Sequence, residues 1–345
     1  MSYTIAEVTP ADTRMFRKMT DLLHQQNIRY DSSADYSCVI LDDDYQAAAT
    51  GSCSGNTLRC LAVSPDHAGE ALTNTLISHL VEVQYARGNT HIFLYTKPDT
   101  ARFFGDLGFY EIIRGDNIVF MENRRNGFSS YLAQLQQSAQ PGRCAAIVMN
   151  ANPFTLGHQY LVEKAAAEND TVHLFAVSEE KSPIPYAVRK QLITAGTAHL
   201  ANVIIHDSGS YIISSATFPS YFQKNEDEVS RSHALVDAGI FVRIARAMNI
   251  TKRYAGEEPF SRVTAIYNEV MQAQLPPAGV ELVVVPRREG PAGIISASMV
   301  RQLIHDGDMD QLRDYLPPSS LDYFLSPEAA PVITAIRAMA DVVHH

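Results

Sequence analysis

Two short strings in this chain carry residue types that could work on a phosphorylated molecule. The first is Asn152-Pro153-Phe154-Thr155-Leu156-Gly157-His158, directly after the apolar run Cys144 to Met149. Pro153 fixes a turn, and Gly157 removes a side chain where something must approach the backbone closely. His158 then falls in the first turn of the following helix, where free N–H groups and the helix dipole favour anions. A ring N–H of His158 and the hydroxyl of Thr155 could both donate to one phosphate. Taken alone, the same string also fits a capped helix start with an incidental surface histidine. The second string is Ile295-Ser296-Ala297-Ser298-Met299-Val300-Arg301. Two hydroxyls at a helix start and an arginine one turn later suit a phosphate clamp, although a serine there is by itself only a cap.

These residues need strand-to-helix loops to hold them. From Cys144 onward, apolar runs (CAAIVM, VHLFAV, NVIIH, RYAG, VELVVV) alternate with helical patterns starting at Gly157, Tyr186 and Val229. Such alternation predicts a parallel sheet covered by helices on both faces, with ligands bound outside the carboxyl ends of the strands. The first string is one of those loops. Earlier in the chain, strand-like YSCVILD, LRCLAV, HIFLYT and NIVFMEN mix with a helix from Glu70 to Ala86, whose apolar face is Leu72, Leu76, Leu80 and Val83. That mixture predicts a smaller α/β domain. The Gln-, Ser-, Pro- and Gly-rich stretch YLAQLQQSAQPGR separates the two. The expected division is 1–130, a linker over 131–143, and 144–345.

At 345 residues two domains are the natural expectation, and 46% hydrophobic with 19% charged residues is ordinary globular composition. A net charge of -10 argues against a broad basic face for nucleic acid. None of the pairs among Cys38, Cys53, Cys60 and Cys144 has C-x-x-C spacing, so they read as small buried residues in a reducing compartment. The start lacks the basic and apolar regions of a signal peptide, and no run approaches a membrane span. A cytoplasmic protein without a membrane partner is expected.

The first string resembles the N/D-P-x-(H/T)-x-G-H signature of the nucleotidyltransferase superfamily, and the second its I-S-S/A-S/T-x-x-R motif. The order of the two is that of the superfamily. The resemblance implies that Asn152, Pro153, Phe154, Thr155, Gly157 and His158 hold a nucleotide together with Ser296, Ser298 and Arg301. VSEEKSPIPYAVRKQLI is similar to a further pattern, placing Lys181 as a mobile charge near the phosphates and Arg189 as a tie between helix and site. In RYAGEEPFSRVTAIYNEV, Gly256 and Glu257 would sit near base or ribose.

The first part resembles GNAT acetyltransferases, most clearly in TARFFGDLGFYEI. Of their pyrophosphate turn only Gly69 is kept, flanked by Ala68 and Glu70, which implies a site for a CoA-like arm more than tight acetyl-CoA binding. A GNAT-like domain followed by a Rossmann-like nucleotidyltransferase domain resembles the citrate lyase ligase family. That family implies ATP with Mg2+, acetate activated as acetyl-AMP, and transfer to the prosthetic-group thiol of the citrate lyase acyl-carrier subunit. It also implies that Thr155, His158, Lys181 and Arg301 are catalytic, with no protein-only metal site. Two other classes remain open: an adenylyl- or cytidylyltransferase acting on a phosphorylated acceptor, and a regulatory module sensing ATP or CoA.

Overall fold

The computed structural model describes residues 3–67, 70–178, 182–212, 218, 226–257, 262–290 and 293–339. Gly69 and Lys181 lie outside these described residues. The chain divides into two compact units, Met1–Ser130 with Pro219–Val236, and Tyr131–Phe218 with Asp237–His345.

In the first unit, strands β1 (Thr4–Glu7), β2 (Tyr36–Leu41), β3 (Ala47–Ser54), β4 (Thr57–Val63), β5 (Phe93–Thr96), β6 (Tyr110–Arg114) and β7 (Val119–Glu122) form one sheet of order β1-β2-β3-β4-β5-β7-β6. The pairing is antiparallel except between β4 and β5, which run parallel through only Thr57↔Phe93 and Leu58↔Leu94. Helices α1 (Thr13–Gln25), α2 (Glu70–Ala86) and α3 (Ala101–Asp106) complete the mixed α/β architecture. Helix α1 starts where the Asp12 carboxylate accepts the Met15 N–H at 3.0 Å, and it buries Met19, Leu22 and Leu23. On α2, Leu72, Leu76, Ile77 and Leu80 are buried. Val83 is only half-buried, and Gln84 takes the enclosed place beside it by donating to the Gly55 carbonyl at 2.8 Å.

Helix α4 (Gly127–Gln136) crosses from the first unit into the second, which opens with β8 (Cys144–Met149) and α5 (Leu156–Glu168). There follow β9 (Thr171–Ala176), α6 (Tyr186–Thr197), β10 (Val203–Asp207), α7 (Glu226–Ala247), β11 (Ile250–Gly256), α8 (Arg262–Gln274) and β12 (Glu281–Val285). The sheet order is β10-β9-β8-β11-β12 and every pair is parallel. This is the doubly wound parallel sheet expected from the alternating runs. Its order reverses between β8 and β11, the switch point at which open α/β sheets leave a crevice. A short hairpin, β13 (Glu289–Gly290) with β14 (Gly293–Ile294), leads into α9 (Ala297–Asp306), then α10 (Pro318–Leu325) and α11 (Ala330–Arg337).

One face of this sheet, through Ile147, Met149, Val172, Leu174 and Ala176, shares a core with residues of α5, α6, α9, α10 and α11. On β9, His173 and Phe175 alternate with those residues, so they point to the opposite face. In register with His173 stands Arg253 of β11, whose guanidinium lies 4.3 Å over the Phe241 ring of α7 and 3.3 Å from Asp237. The Pro219–Val236 segment belongs to the first unit, which a contiguous division at residue 130 does not anticipate. The reason lies in α7, one unbroken helix whose early part counts with the first unit and whose Asp237 starts the share of the second.

Candidate active site

The loop 150–155 leaves the carboxyl end of β8 at the switch point. Ala151 has φ of 50°, a left-handed backbone for a residue with a Cβ, and the Asn152–Pro153 peptide is cis. Two buried arginines hold the loop. Arg189 of α6, 0% exposed, donates through Nη1 to the Asn150 carbonyl (2.8 Å), to Asn150 Oδ1 (2.6 Å) and to the Val177 carbonyl (2.9 Å). Arg301 of α9, 3% exposed, donates through Nη1 to the Asn152 carbonyl at 2.7 Å.

Thr155 is the N-cap of α5 and forms a reciprocal capping box with His158. Its Oγ1 accepts the His158 backbone N–H at 3.4 Å, and its own N–H donates to His158 Nδ1 at 3.1 Å. A backbone N–H can only donate, so Nδ1 is an acceptor and the ring proton of the neutral imidazole sits on Nε2. Thr155 Oγ1 also lies 2.9 Å from Nδ1. The Thr155 hydroxyl is thereby engaged with His158, whereas the sequence suggested that it would face a phosphate. Burial, and then the charge of Arg287, push the His158 pKa down to about 4. At neutral pH the ring is uncharged and offers one N–H.

Gly157 also has a different neighbour from the one expected. A Cβ there would stand 3.3 Å from the Ile295 carbonyl oxygen and 3.6 Å from Ile295 Cγ2. The close approach is by the second motif itself, so the two strings meet backbone against backbone. At the start of α9, Ser296 caps the helix by accepting the Met299 N–H at 3.1 Å, and its Oγ lies 3.0 Å from Ser298 Oγ. Both serines are half-buried. Phe154, 0% exposed, stacks on the His158 ring at 5.8 Å and 20° and packs against Gly196 of α6.

Gly256 ends β11, the other strand of the switch point. Glu257 is exposed; its N–H donates to the Val285 carbonyl at 2.8 Å, and its carbonyl accepts from Arg287 Nε at 2.7 Å. Arg287 thus holds the Glu257 carbonyl, and its charge also acts on His158. It was missed in the sequence, where the signal is a basic pair shortly after the last strand of the parallel sheet, VVVPRREG. The structure brings together Asn152, Pro153, Phe154, Thr155, Gly157, His158, Ser296, Ser298 and Arg301, while Gly256 ends the neighbouring strand β11 and Glu257 follows it.

Residues 144–324 match the family model described as the citrate lyase ligase C-terminal domain. The chain is also 37% identical, over 310 residues, to the citrate (pro-3S)-lyase ligase of Klebsiella pneumoniae, covering 88% of this chain and 90% of that one. The chain belongs to the citrate lyase ligase family. Among solved structures, it is similar to an acyl-CoA N-acyltransferase from Pseudomonas aeruginosa (13% identity, TM-score 0.31, covering 36% of this chain and all of that one). It is also similar to Thermotoga maritima TmcAL bound with alpha-thio ATP (12% identity, TM-score 0.38, covering 53% of this chain and 55% of that one). In this citrate lyase ligase family member, the family match spans both strings that meet at Gly157 and Ile295. Among the described residues, no helix is long and apolar enough to cross a membrane.

Proposed function

We propose that this chain is an acid–thiol ligase that activates citrate lyase, forming acetyl-AMP from acetate and ATP and passing the acetyl group to the prosthetic-group thiol of the citrate lyase acyl-carrier subunit. The observation that carries the reading is the Thr155–His158 capping box. It leaves a neutral imidazole with Nε2–H as a donor at a helix N-terminus, which suits phosphate and ill suits general-base work.

Acetate needs no base, because a carboxylic acid with a pKa near ~4 is ionised at neutral pH. One acetate oxygen attacks the α-phosphorus, the new O–P bond forms, the α–β bridging P–O bond breaks, and pyrophosphate leaves with the electron pair. No proton moves. The chain's task is to place the reactants and to neutralise charge on the phosphates. We assign that charge work to His158, Arg287, Ser296, Ser298 and Lys181. Thr155, Arg189 and Arg301 act through the loop they hold. The donor set is imidazole, hydroxyl and guanidinium, which does not suit a protein-held Mg2+, and the ion is assigned to ATP oxygens and water.

Exchange of labelled pyrophosphate into ATP tests this. Exchange that requires acetate is expected. Exchange that ignores acetate and needs a phosphorylated acceptor would establish the nucleotidyltransferase reading instead, for which Arg287 supplies the extra cation such an acceptor needs. We assign 1–130 as a GNAT-like domain that receives the CoA-like carrier arm around Gly69, with the nucleotidyltransferase domain from residue 144. Robust acetylation from acetyl-CoA in place of ATP and acetate would overturn that assignment.

A further inference from the structure

The carboxamide of Asn152 stands out within the loop. The residue is 4% exposed, and both Nδ2 and Oδ1 are enclosed without a hydrogen-bond partner. Buried Asn169 differs at one end only: its Nδ2 donates to the Ala165 carbonyl (2.8 Å) and to the Tyr254 hydroxyl (3.0 Å), while its Oδ1 is also without a partner. An unsatisfied buried polar group is costly, and Asn152 carries two in one side chain. Its backbone is nevertheless fixed, because its carbonyl accepts from Arg301. The chain therefore holds an unpaired amide three residues before the cap of α5, in the loop that leads to His158. Rotation of this side chain breaks no hydrogen bond, since it makes none.

We infer that the Asn152 carboxamide holds the acyl group of the acid substrate, and so selects and orients the carboxylate that attacks ATP. The inference rests on the adenylation reading above. His158 and Arg287 are assigned to the phosphates, and a carboxylate, which like a phosphate presents acceptors only, is met by Nδ2–H alone in the first half-reaction. A carboxylate has one oxygen to attack with and a second to accept Nδ2–H. A neutral donor orients that carboxylate without quenching its charge, as a lysine would. In the second half-reaction the thiol supplies the donor that Oδ1 lacks. As the S–C bond forms and the C–O bond to phosphate breaks, AMP leaves with the electron pair and the thiol proton passes to water. Nδ2–H then faces the acyl oxygen on which negative charge develops.

The test uses the full chain with Asn152→Ala and the near-isosteric Asn152→Asp. Acetate-dependent ATP–pyrophosphate exchange gives KM for acetate, calorimetric titration with ATP alone gives nucleotide affinity, and thermal unfolding gives stability. The inference expects KM for acetate to rise about 10-fold or more in Asn152→Ala, as for loss of one hydrogen bond to a charged group. A larger rise is expected in Asn152→Asp, whose charge repels the acid. ATP affinity should stay within about 2-fold and Tm should not fall in Asn152→Ala, because removing an unpaired amide removes its cost. Unchanged KM for acetate, or a loss that falls on ATP affinity, would overturn the inference, as would a lowered Tm with both constants unchanged. Failure of the underlying reading looks different: the unmutated chain would then exchange without acetate, and both conclusions would fall.

Discussion

Gly196 sits in α6, outside every motif, yet its substitution should disable the site. A Cβ there would stand 2.4 Å from Phe154 Cε1 and 2.8 Å from Cδ1. Carbon atoms in contact lie about 3.5–4.0 Å apart, so in Gly196→Ala the ring must retreat by roughly 1 Å. It cannot do so into solvent, because Phe154 is 0% exposed within the buried core and stacks on the His158 ring at 5.8 Å. Overpacking costs about 1–3 kcal/mol, while alanine recovers about 1 kcal/mol of helix propensity. The net loss is about 1 kcal/mol, a fall in Tm of roughly 2–4 °C for a unit of this size. Function should suffer more, since roughly 1 Å of misplacement at a reacting group can cost about 100-fold. Thermal unfolding and ATP–pyrophosphate exchange measure the two effects separately. Adding Phe154→Leu should return part of the lost stability, a coupling that a double-mutant cycle reads directly. Full exchange activity in Gly196→Ala, or zero coupling in the cycle, would refute the argument that Phe154 transmits this position to His158.

Other outcomes follow from the same geometry. His158→Ala should cut exchange by about 100-fold or more in a folded chain, the cost of losing one oriented donor; near-normal exchange would reduce His158 to a cap partner. Arg301→Met should lower stability by about 1.5–3 kcal/mol, because the Asn152 carbonyl loses a charged donor, and urea unfolding reads this. A raised KM for ATP at unchanged stability would instead make Arg301 a phosphate ligand. Stability should also fall as pH drops from 6.5 towards 4. Burial pushes both His173 and His206, 3.0 Å apart, from 6.5 down to about 4, so the unfolded chain binds more protons across that window. The loss is on the order of 3 kcal/mol for one such shift, and because buried His158 titrates over the same window, a His173→Leu/His206→Leu variant should reduce, without abolishing, the slope of unfolding free energy against pH.

Much of the site's address was legible, because hydrophobic run length and turn chemistry are local properties. Alternating runs from Cys144 onward gave the parallel sheet, and the Asn152–His158 string marked its switch-point loop. What escaped depends on long-range packing. Strand β3, AAATGSCS, is buried from Ala48 through Ser54, so it shows no polar alternation and its small residues have weak strand preference. RYAG extends to β11 Ile250–Gly256, because Thr251 and Lys252 hide the strand's start. Gly157 announces a close approach but not by what, and Thr155 reads as a phosphate donor until His158 is seen to occupy its hydroxyl. Arg287 lies 129 positions from His158 in sequence and has no motif of its own.

The two arginines explain why the loop's chemistry and its support look alike in sequence. The VSEEKSPIPYAVRKQLI pattern and the second string each carry an arginine about one turn into a helix, the position from which a cation could reach a phosphate. In the folded chain, Arg189 and Arg301 are both buried with carbonyls of the 150–155 loop as acceptors, Asn150 in one case and Asn152 in the other. Those bonds flank Ala151, whose left-handed φ of 50° costs about 1–2 kcal/mol in a residue with a Cβ. Leu156, just beyond, donates its N–H to the Tyr315 carbonyl at 2.8 Å, which ties down the loop's far end. A loop anchored at Asn150, Asn152 and Leu156 keeps a strained backbone in place, and with it the His158 tautomer that the Thr155 N–H imposes. On the adenylation proposed above, the cost of arranging donors around a phosphate would be met when the chain folds, leaving little reorganisation for the moment of reaction.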